Sequence, residues 1–399
     1  MTSRISSSRG DRKRIFYVVD SFQVGGTESQ AVAVAVLMHR RGHDVTVGAL
    51  SMKGPLLKEL YQAGVPVMNL SSKGRLLGLS GLARAVRLSL FLRRHHFDLV
   101  HAHDLWSNLL AVPSARAAGI PVIVSQRNLG DGKWFSTWRG GIFRFLQKRA
   151  TLVLANAGAV RDLLISRDRL SPAKVKVVHN GVEWERFANV NARRTDLLPG
   201  TENRRIVVVV ANMYSATKGH GYLIDAATRI LRAVPEACFV LVGDGSLRVQ
   251  LERQARDRGV SEAFLFLGCR SDVAELLACS EIALLPSLAE GLPNSVLEYM
   301  SAGLPIIATR QGGIPELIAN DYDGILVPPA DSDALATAVI RLLRDPESRR
   351  RLGFAARERA RHEFTFERLT RRLEQLYSWS TGGQREQDGA ELVSSSPTL

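Results

Sequence analysis

The chain predicts an α/β protein of two doubly wound, Rossmann-like parallel-sheet domains, and three observations carry that prediction. Short, continuously apolar, β-branched runs alternate with helical patterns from end to end, as strands covered on both faces do. A polar stretch over 189–205, with turn and charge signals such as Asn191-Ala192-Arg193-Arg194 and Pro199-Gly200, splits the runs into two series. At 399 residues the chain is long enough for two domains of ordinary size.

The first series of strand candidates is Ile15–Val19, Val45–Leu50, Val65–Leu70, Leu99–His101, Val122–Ser125, Val153–Ala155 and Val175–Val178. The second is Ile206–Val210, Phe239–Val242, Phe264–Leu267, Ile282–Leu285, Ile306–Ala308 and Ile325–Val327. The domains are therefore expected over 1–190 and 191–365, followed by a last helix over 366–379. Residues 380–399, rich in Gly, Ser, Gln and charge, are expected to be a disordered tail.

Composition narrows the class. The chain is 45% hydrophobic and 23% charged, ordinary for a globular protein, but its net charge is +14. Such a surplus attracts polyanions: nucleic acid, an anionic membrane face or phosphorylated substrates. No helix-turn-helix, RNA-binding aromatic signature or zinc module is present, which disfavours nucleic acid. No run reaches the roughly 18 apolar residues of a membrane span, and Met1 to Arg14 is polar and basic, so the chain is expected in the cytoplasm. Cys238, Cys269 and Cys279 lack metal-site spacing and are expected as small buried hydrophobes.

The most telling stretch runs from Pro286 to Gly303. An apolar strand, Ile282 to Leu285, ends at Pro286; a turn with Glu290 and Gly291 follows; Pro293 fits the first turn of a helix that carries Glu298. In an open parallel sheet, ligands bind beyond the carboxyl ends of strands, beside helix N-termini. Backbone N–H groups from Gly291 through Leu292 and Asn294 to Ser295 can hold a phosphate there. The two carboxylates can accept hydrogen bonds from sugar hydroxyls. An anion and a polyol at one site describe a nucleotide sugar.

The composite Pro-x-x-x-E-G-x-P-x-x-x-x-E-x-M-x-x-G, with Glu290 and Glu298 separated by seven residues, resembles the family 4 retaining glycosyltransferases. The resemblance is dense over Val208 to Pro328 and sparse before it. It implies a GT-B fold, two Rossmann-like domains facing across a cleft, with the first for the acceptor and the second for the nucleotide sugar. It also implies that the last helix packs back on the first domain.

In Val208-Val209-Val210-Ala211-Asn212-Met213-Tyr214-Ser215-Ala216-Thr217-Lys218-Gly219, Lys218 matches the family's phosphate-binding lysine. A solvated first-turn lysine is the alternative, though a cation there opposes the helix dipole. Asn212, Met213 and Tyr214 stand where the family often carries an arginine, which leaves a clamp of lower charge. Gly243 and Asp244 occupy the loop that in the family lies by the nucleotide; a simple turn capped by Ser246 explains them nearly as well. Gly312-Gly313-Ile314-Pro315-Glu316 is also family-like, with a loop and helix start as the alternative.

In the first domain, Gly25-Gly26 opens a helix and matches the family loop that faces the donor; a plain glycine turn explains it equally well. His103, at the carboxyl end of a strand, matches the family's histidine near the transferred sugar. His101 is expected on the opposite side of the strand, packed, which leaves no histidine pair for a metal. On a helical wheel of Leu79–His96, the stripe Leu79, Leu82, Val86 and Leu90 is expected in the core. Arg84, Arg87, Arg94 and His95 are expected opposite it, with Phe91 exposed among them. Further on, Trp134, Phe135, Trp138 and Phe145 interleave with Lys133, Arg139, Lys148 and Arg149. That mixture suits peripheral contact with an anionic membrane, with a solvated charged helix face as the alternative.

The expected activity is transfer, with retention, of a sugar from a nucleotide diphosphate sugar to a glycan or lipid-linked acceptor in polysaccharide or glycolipid biosynthesis. His103, Lys218 and Glu290 are the expected catalytic set. The nucleotide sugar is a co-substrate, and neither cofactor nor metal is expected. Sugar-nucleotide epimerisation and a non-catalytic scaffold for glycan assembly are the alternatives. A dinucleotide enzyme is not: the loop after the first strand, Asp20-Ser21-Phe22-Gln23-Val24-Gly25-Gly26, lacks G-x-G-x-x-G.

Overall fold

The computed structural model describes residues 12–70, 78–103, 105–129, 138–188 and 190–382. Among them two all-parallel sheets form, each with helices on both faces. The first orders its strands β3-β2-β1-β4-β5-β6-β7. These are β1 (Arg14–Val19), β2 (Asp44–Ala49), β3 (Val67–Asn69), β4 (Leu99–Ala102), β5 (Val122–Gln126), β6 (Leu152–Ala155) and β7 (Val175–Val177). The second orders them β10-β9-β8-β11-β12-β13. Its members are β8 (Arg205–Val210), β9 (Ala237–Val242), β10 (Phe264–Gly268), β11 (Ile282–Leu285), β12 (Ile306–Thr309) and β13 (Ile325–Val327).

Nearly every residue of the inner strands is buried, because helices cover both sides, while the edge strands β3, β7 and β10 are partly exposed. That explains why the strands read as unbroken apolar runs rather than alternating ones. The strand order reverses between β1 and β4 in one sheet and between β8 and β11 in the other. Those are the switch points at which an open sheet leaves a crevice beyond its carboxyl edge.

Residues 190–204 are less of a linker than their polarity suggests. Arg194–Leu197 forms a helical turn, Leu198 is buried, and Arg194 donates to Cys279 O at 2.9 Å. The chain crosses back near Thr365, where Val182 N–H donates to Phe364 O at 2.9 Å. Helix Phe366–Ser380 then lies on the first sheet, against helix Gly26–Arg40. Its Leu369, Leu373, Leu376 and Tyr377 are buried there, and Glu374 takes two 2.7 Å hydrogen bonds from Arg41. The expected tail lies outside the described residues from 383 onward.

Helix Leu79–Arg94 corrects the sequence analysis. Gly81, Ala85, Leu88, Ser89 and Leu92 face the sheet, while Leu79, Leu82, Val86 and Leu90 are exposed. Phe91 is not exposed but tucks its ring against Phe16 and Phe97, with centroids 5.9 and 5.8 Å away. The helix has two apolar stripes, and the one with the smaller side chains packs closer to the sheet. Cys269 is likewise exposed, whereas Cys238 and Cys279 are buried. No helix among the described residues is long and apolar enough to cross a membrane.

Candidate active site

The four strands at the two switch points deliver most of the residues singled out by sequence. Beyond β1 comes Gly25-Gly26, beyond β4 His103, beyond β8 Asn212 and Lys218, and beyond β11 Glu290. The β8 and β11 loops are laced together: Leu288 N–H donates to Thr217 O at 2.6 Å. This brings Lys218 Nζ to 2.7 Å from Glu290 Oε1, with both side chains mostly buried. Lys218 retains two further N–H donors and Glu290 a second oxygen.

Pro293 directly precedes helix Asn294–Ser301 rather than lying in its first turn. Among the described residues, the backbone N–H groups of Gly291, Leu292, Asn294 and Ser295 make no hydrogen bond. Four free donors thus gather at the start of a helix. Glu298, one turn on, is half-buried, and its carboxylate makes no hydrogen bond among the described residues. Burial pushes its carboxyl up to about 7. Tyr299 beside it accepts from Val210 N–H at 2.6 Å, which pins this helix to the end of β8.

Gly243 and Asp244 follow β9. Asp244 O accepts from Met213 N–H at 2.9 Å, and its side chain accepts from Gly245 N–H at 2.8 Å. Asn212 is exposed, and its Oδ1 meets Tyr214 N–H at 3.4 Å, so the position of the missing arginine is open to solvent. Asp244 and Asn212 lie in adjoining loops but make no direct bond to Glu290 or Glu298 among the described residues.

The histidines require a correction. Residues two apart on a strand point to the same face, and the His101 and His103 rings lie 3.9 Å apart. His101 is bound at both nitrogens, by Tyr377 Oη at 2.7 Å and Ser125 Oγ at 2.9 Å. His103 stacks on Tyr17 at 5.2 Å, and neither ring nitrogen has a hydrogen-bond partner among the described residues. Burial holds both imidazoles well below their ordinary value, so both are neutral near pH 7. Among the described residues no group of three or more His, Cys, Asp or Glu could hold a metal.

Arg127, Asn156, His179 and Asn180, which help close the site, went unread in the sequence. Asn180, after β7, donates to Leu292 O at 3.0 Å and to Asn294 Oδ1 at 2.7 Å, and accepts from Arg127 Nη1 at 2.6 Å. Asn294 in turn donates to Gly26 O at 3.1 Å, so the glycine loop and the Glu298 helix face each other directly. Gly291 packs on the Arg127 carbonyl, where a Cβ would collide. Glu316 accepts from Gly158 N–H at 2.8 Å, Ala159 N–H at 3.2 Å and His179 Nε2 at 3.0 Å. It links the segment that packs on Glu290 and Gly291 to the first domain. Arg127, Asn156 and Asn180 follow strands β5, β6 and β7, so the rule that found His103 applies equally to them.

Residues 24–186 match the family described as Glycosyltransferase Family 4, and residues 204–345 match Glycosyl transferases group 1. The N-acetyl-alpha-D-glucosaminyl L-malate synthase of Bacillus anthracis is 34% identical over 314 residues, covering 74% of this chain and 78% of that protein. The chain belongs to the group 1 glycosyltransferases of family 4. This glycosyltransferase is also 29% identical over 273 residues to the Escherichia coli UDP-Gal:alpha-D-GlcNAc-diphosphoundecaprenol alpha-1,3-galactosyltransferase, covering 65% of this chain and 70% of that one. Among solved structures, Anabaena HepE in complex with UDP and glucose superposes with a TM-score of 0.82 at 23% identity, over 92% of this chain and all of that one. The two facing sheets of the glycosyltransferase are thus a GT-B fold.

Proposed function

We propose that this glycosyltransferase moves a sugar from a nucleotide diphosphate sugar to a glycan or lipid-linked acceptor, with retention and without a metal. The observation that carries the reading is the 2.7 Å pair of Lys218 and Glu290 beside a half-buried Glu298 whose carboxylate has no hydrogen-bond partner among the described residues. Lys218 and the free N–H groups of 291–295 would take the diphosphate. Glu290 would hold the sugar through its second oxygen, and Glu298 would accept hydrogen bonds from the ribose hydroxyls.

In the reaction the bond from the anomeric carbon to the diphosphate breaks and a bond to the acceptor oxygen forms on the same face. The acceptor proton leaves with the diphosphate. Fixed donors around the departing charge lower this barrier, since they need no reorganisation during reaction. Neutral His103 would line the acceptor side, able to give one hydrogen bond and take one. Asn212, without charge, makes the phosphate clamp weaker than an arginine would.

The basic surplus and exposed Trp138 support a peripheral contact with an anionic membrane at its cytoplasmic side. Trp134 and Phe135 lie outside the described residues. The likeness to a galactosyltransferase acting on a diphosphoundecaprenol acceptor supports a polysaccharide or glycolipid product. A panel of nucleotide sugars, scored for nucleoside diphosphate release and for the anomeric configuration of the product by NMR, tests the reading. Inversion removes retention, an epimerised nucleotide sugar replaces transfer, and binding without turnover favours a scaffold.

A further inference from the structure

The cleft chemistry gives no work to the outer face of helix Leu79–Arg94. Leu79, Leu82, Val86 and Leu90 are 87, 63, 50 and 55% exposed. Spacings of three and four place them in one stripe. The helix cannot turn this stripe inward, because Ala85, Leu88 and Leu92 already fill the sheet side. A contiguous apolar stripe on a solvated surface marks a place where something binds.

Two neighbouring helices extend the face. Helix Leu105–Ala118 packs between helix Leu79–Arg94 and helix Trp138–Arg149, all on one side of the first sheet. Each links parallel strands, so each starts at the sheet edge that carries His103. Trp106 and Trp138 are exposed at those starts, as Leu79 is. The 42 residues of the three helices contain nine Arg and Lys and no Asp or Glu. A large part of the chain's +14 therefore lies under one surface.

We infer that this face docks the protein on an anionic lipid bilayer, with the stripe of helix Leu79–Arg94 at the contact. The inference rests on the membrane contact proposed above and gives it a surface. Arginines meet the anionic headgroups while leucines and tryptophans enter the interface. A second copy of the chain fits less well, because a two-fold contact sets each cation-only face against its own likeness. Docked on this face, the molecule keeps the cleft, at whose edge these helices start, close to the bilayer that carries a lipid-linked acceptor.

The test is sedimentation of the full chain with vesicles of phosphatidylcholine alone or mixed equally with phosphatidylglycerol. Wild type is expected to bind the mixed vesicles at low salt, to leave them at high salt and to ignore phosphatidylcholine. In the variant Leu82→Ser/Val86→Ser/Leu90→Ser, binding is expected to fall about tenfold or more. Its melting temperature and UDP affinity stay unchanged, since the three side chains are exposed. A triple variant that binds like wild type overturns the assignment. If Trp138→Ser then abolishes binding, the membrane contact lies at the start of helix Trp138–Arg149 and not on the stripe of helix Leu79–Arg94. A wild type that ignores anionic vesicles overturns both. A dimer that dissociates in the triple variant, with vesicle binding untouched, replaces the bilayer by a second copy.

Discussion

Lys218 and Glu290 are each other's nearest partner, so neither can be changed alone without consequence for the other. Lys218→Met leaves a mostly buried carboxylate without its cation, which should cost about 1–3 kcal/mol of stability and weaken nucleotide-sugar binding. Adding Glu290→Gln should restore much of the stability while turnover stays lost; thermal melts beside donor titrations separate the two effects. Glu298 acts through pH. Its folded carboxyl is held near 7, above its unfolded value, so the native state binds the extra proton between roughly pH 4.5 and 7. Stability contributed by that proton is full below this window and falls as pH rises through it. Urea midpoints should therefore drop from pH 5 to pH 7.5, and Glu298→Gln should flatten the drop. At the open position of Asn212, Asn212→Arg should tighten donor binding several-fold by adding a forked cation; unchanged or weaker binding in calorimetry means the amide has its own task.

The elements around these residues act through close packing of loops. Gly312, with φ of 57°, lets its loop sit directly on the Glu290 carbonyl, where any Cβ would collide. Glu316 follows within the same segment and grips the start of helix Gly158–Ser166. Closure of the cleft and placement of Glu290 are therefore mechanically joined. Glu316→Gln should lower kcat more than it raises the donor KM, and small-angle scattering should show a more open molecule; equal scattering curves with unchanged kcat would refute the link. The sequence displayed the strands and the Glu290–Glu298 loop and helix because burial on both faces and a proline-glycine turn leave local traces. It did not display the Glu316 grip, whose partners lie 157 and 158 positions away. Nor could a wheel alone decide which stripe of helix Leu79–Arg94 turns inward, since both stripes are apolar and only the fit to the sheet chooses between them. The shared side of His101 and His103 is legible from strand geometry, since residues two apart point the same way.

Across the whole molecule, the two sheets are tied twice, by the chain near 179–205 and by its return near Thr365. The return puts Glu374 within reach of Arg41 and His43, whose hydrogen bonds hold its carboxyl down at about 2 against the cost of burial. A carboxyl depressed in this way contributes stability that is present above its unfolded pKa and is lost as pH falls toward 2. The molecule should thus lose stability on the acid side through Glu374 and on the neutral side through Glu298. Glu374→Gln should remove part of the acid limb only, measurable as a smaller fall in melting temperature between pH 5 and pH 3.

The docking of the last helix on the first sheet also dictates an order of events during synthesis. Tyr377 completes a buried hydrogen-bonded cluster with Tyr17 and His101, the latter 276 residues earlier in the chain. At about 5–20 residues per second, the ribosome takes roughly 15–60 s to bridge that gap. Once β7 has been made, and for the rest of that interval, the seat for Leu369, Leu373, Leu376 and Tyr377 is an open apolar trough on an otherwise finished sheet. The nascent chain therefore passes through a long, sticky stage that only its own late segment, or a chaperone standing in for it, can cover.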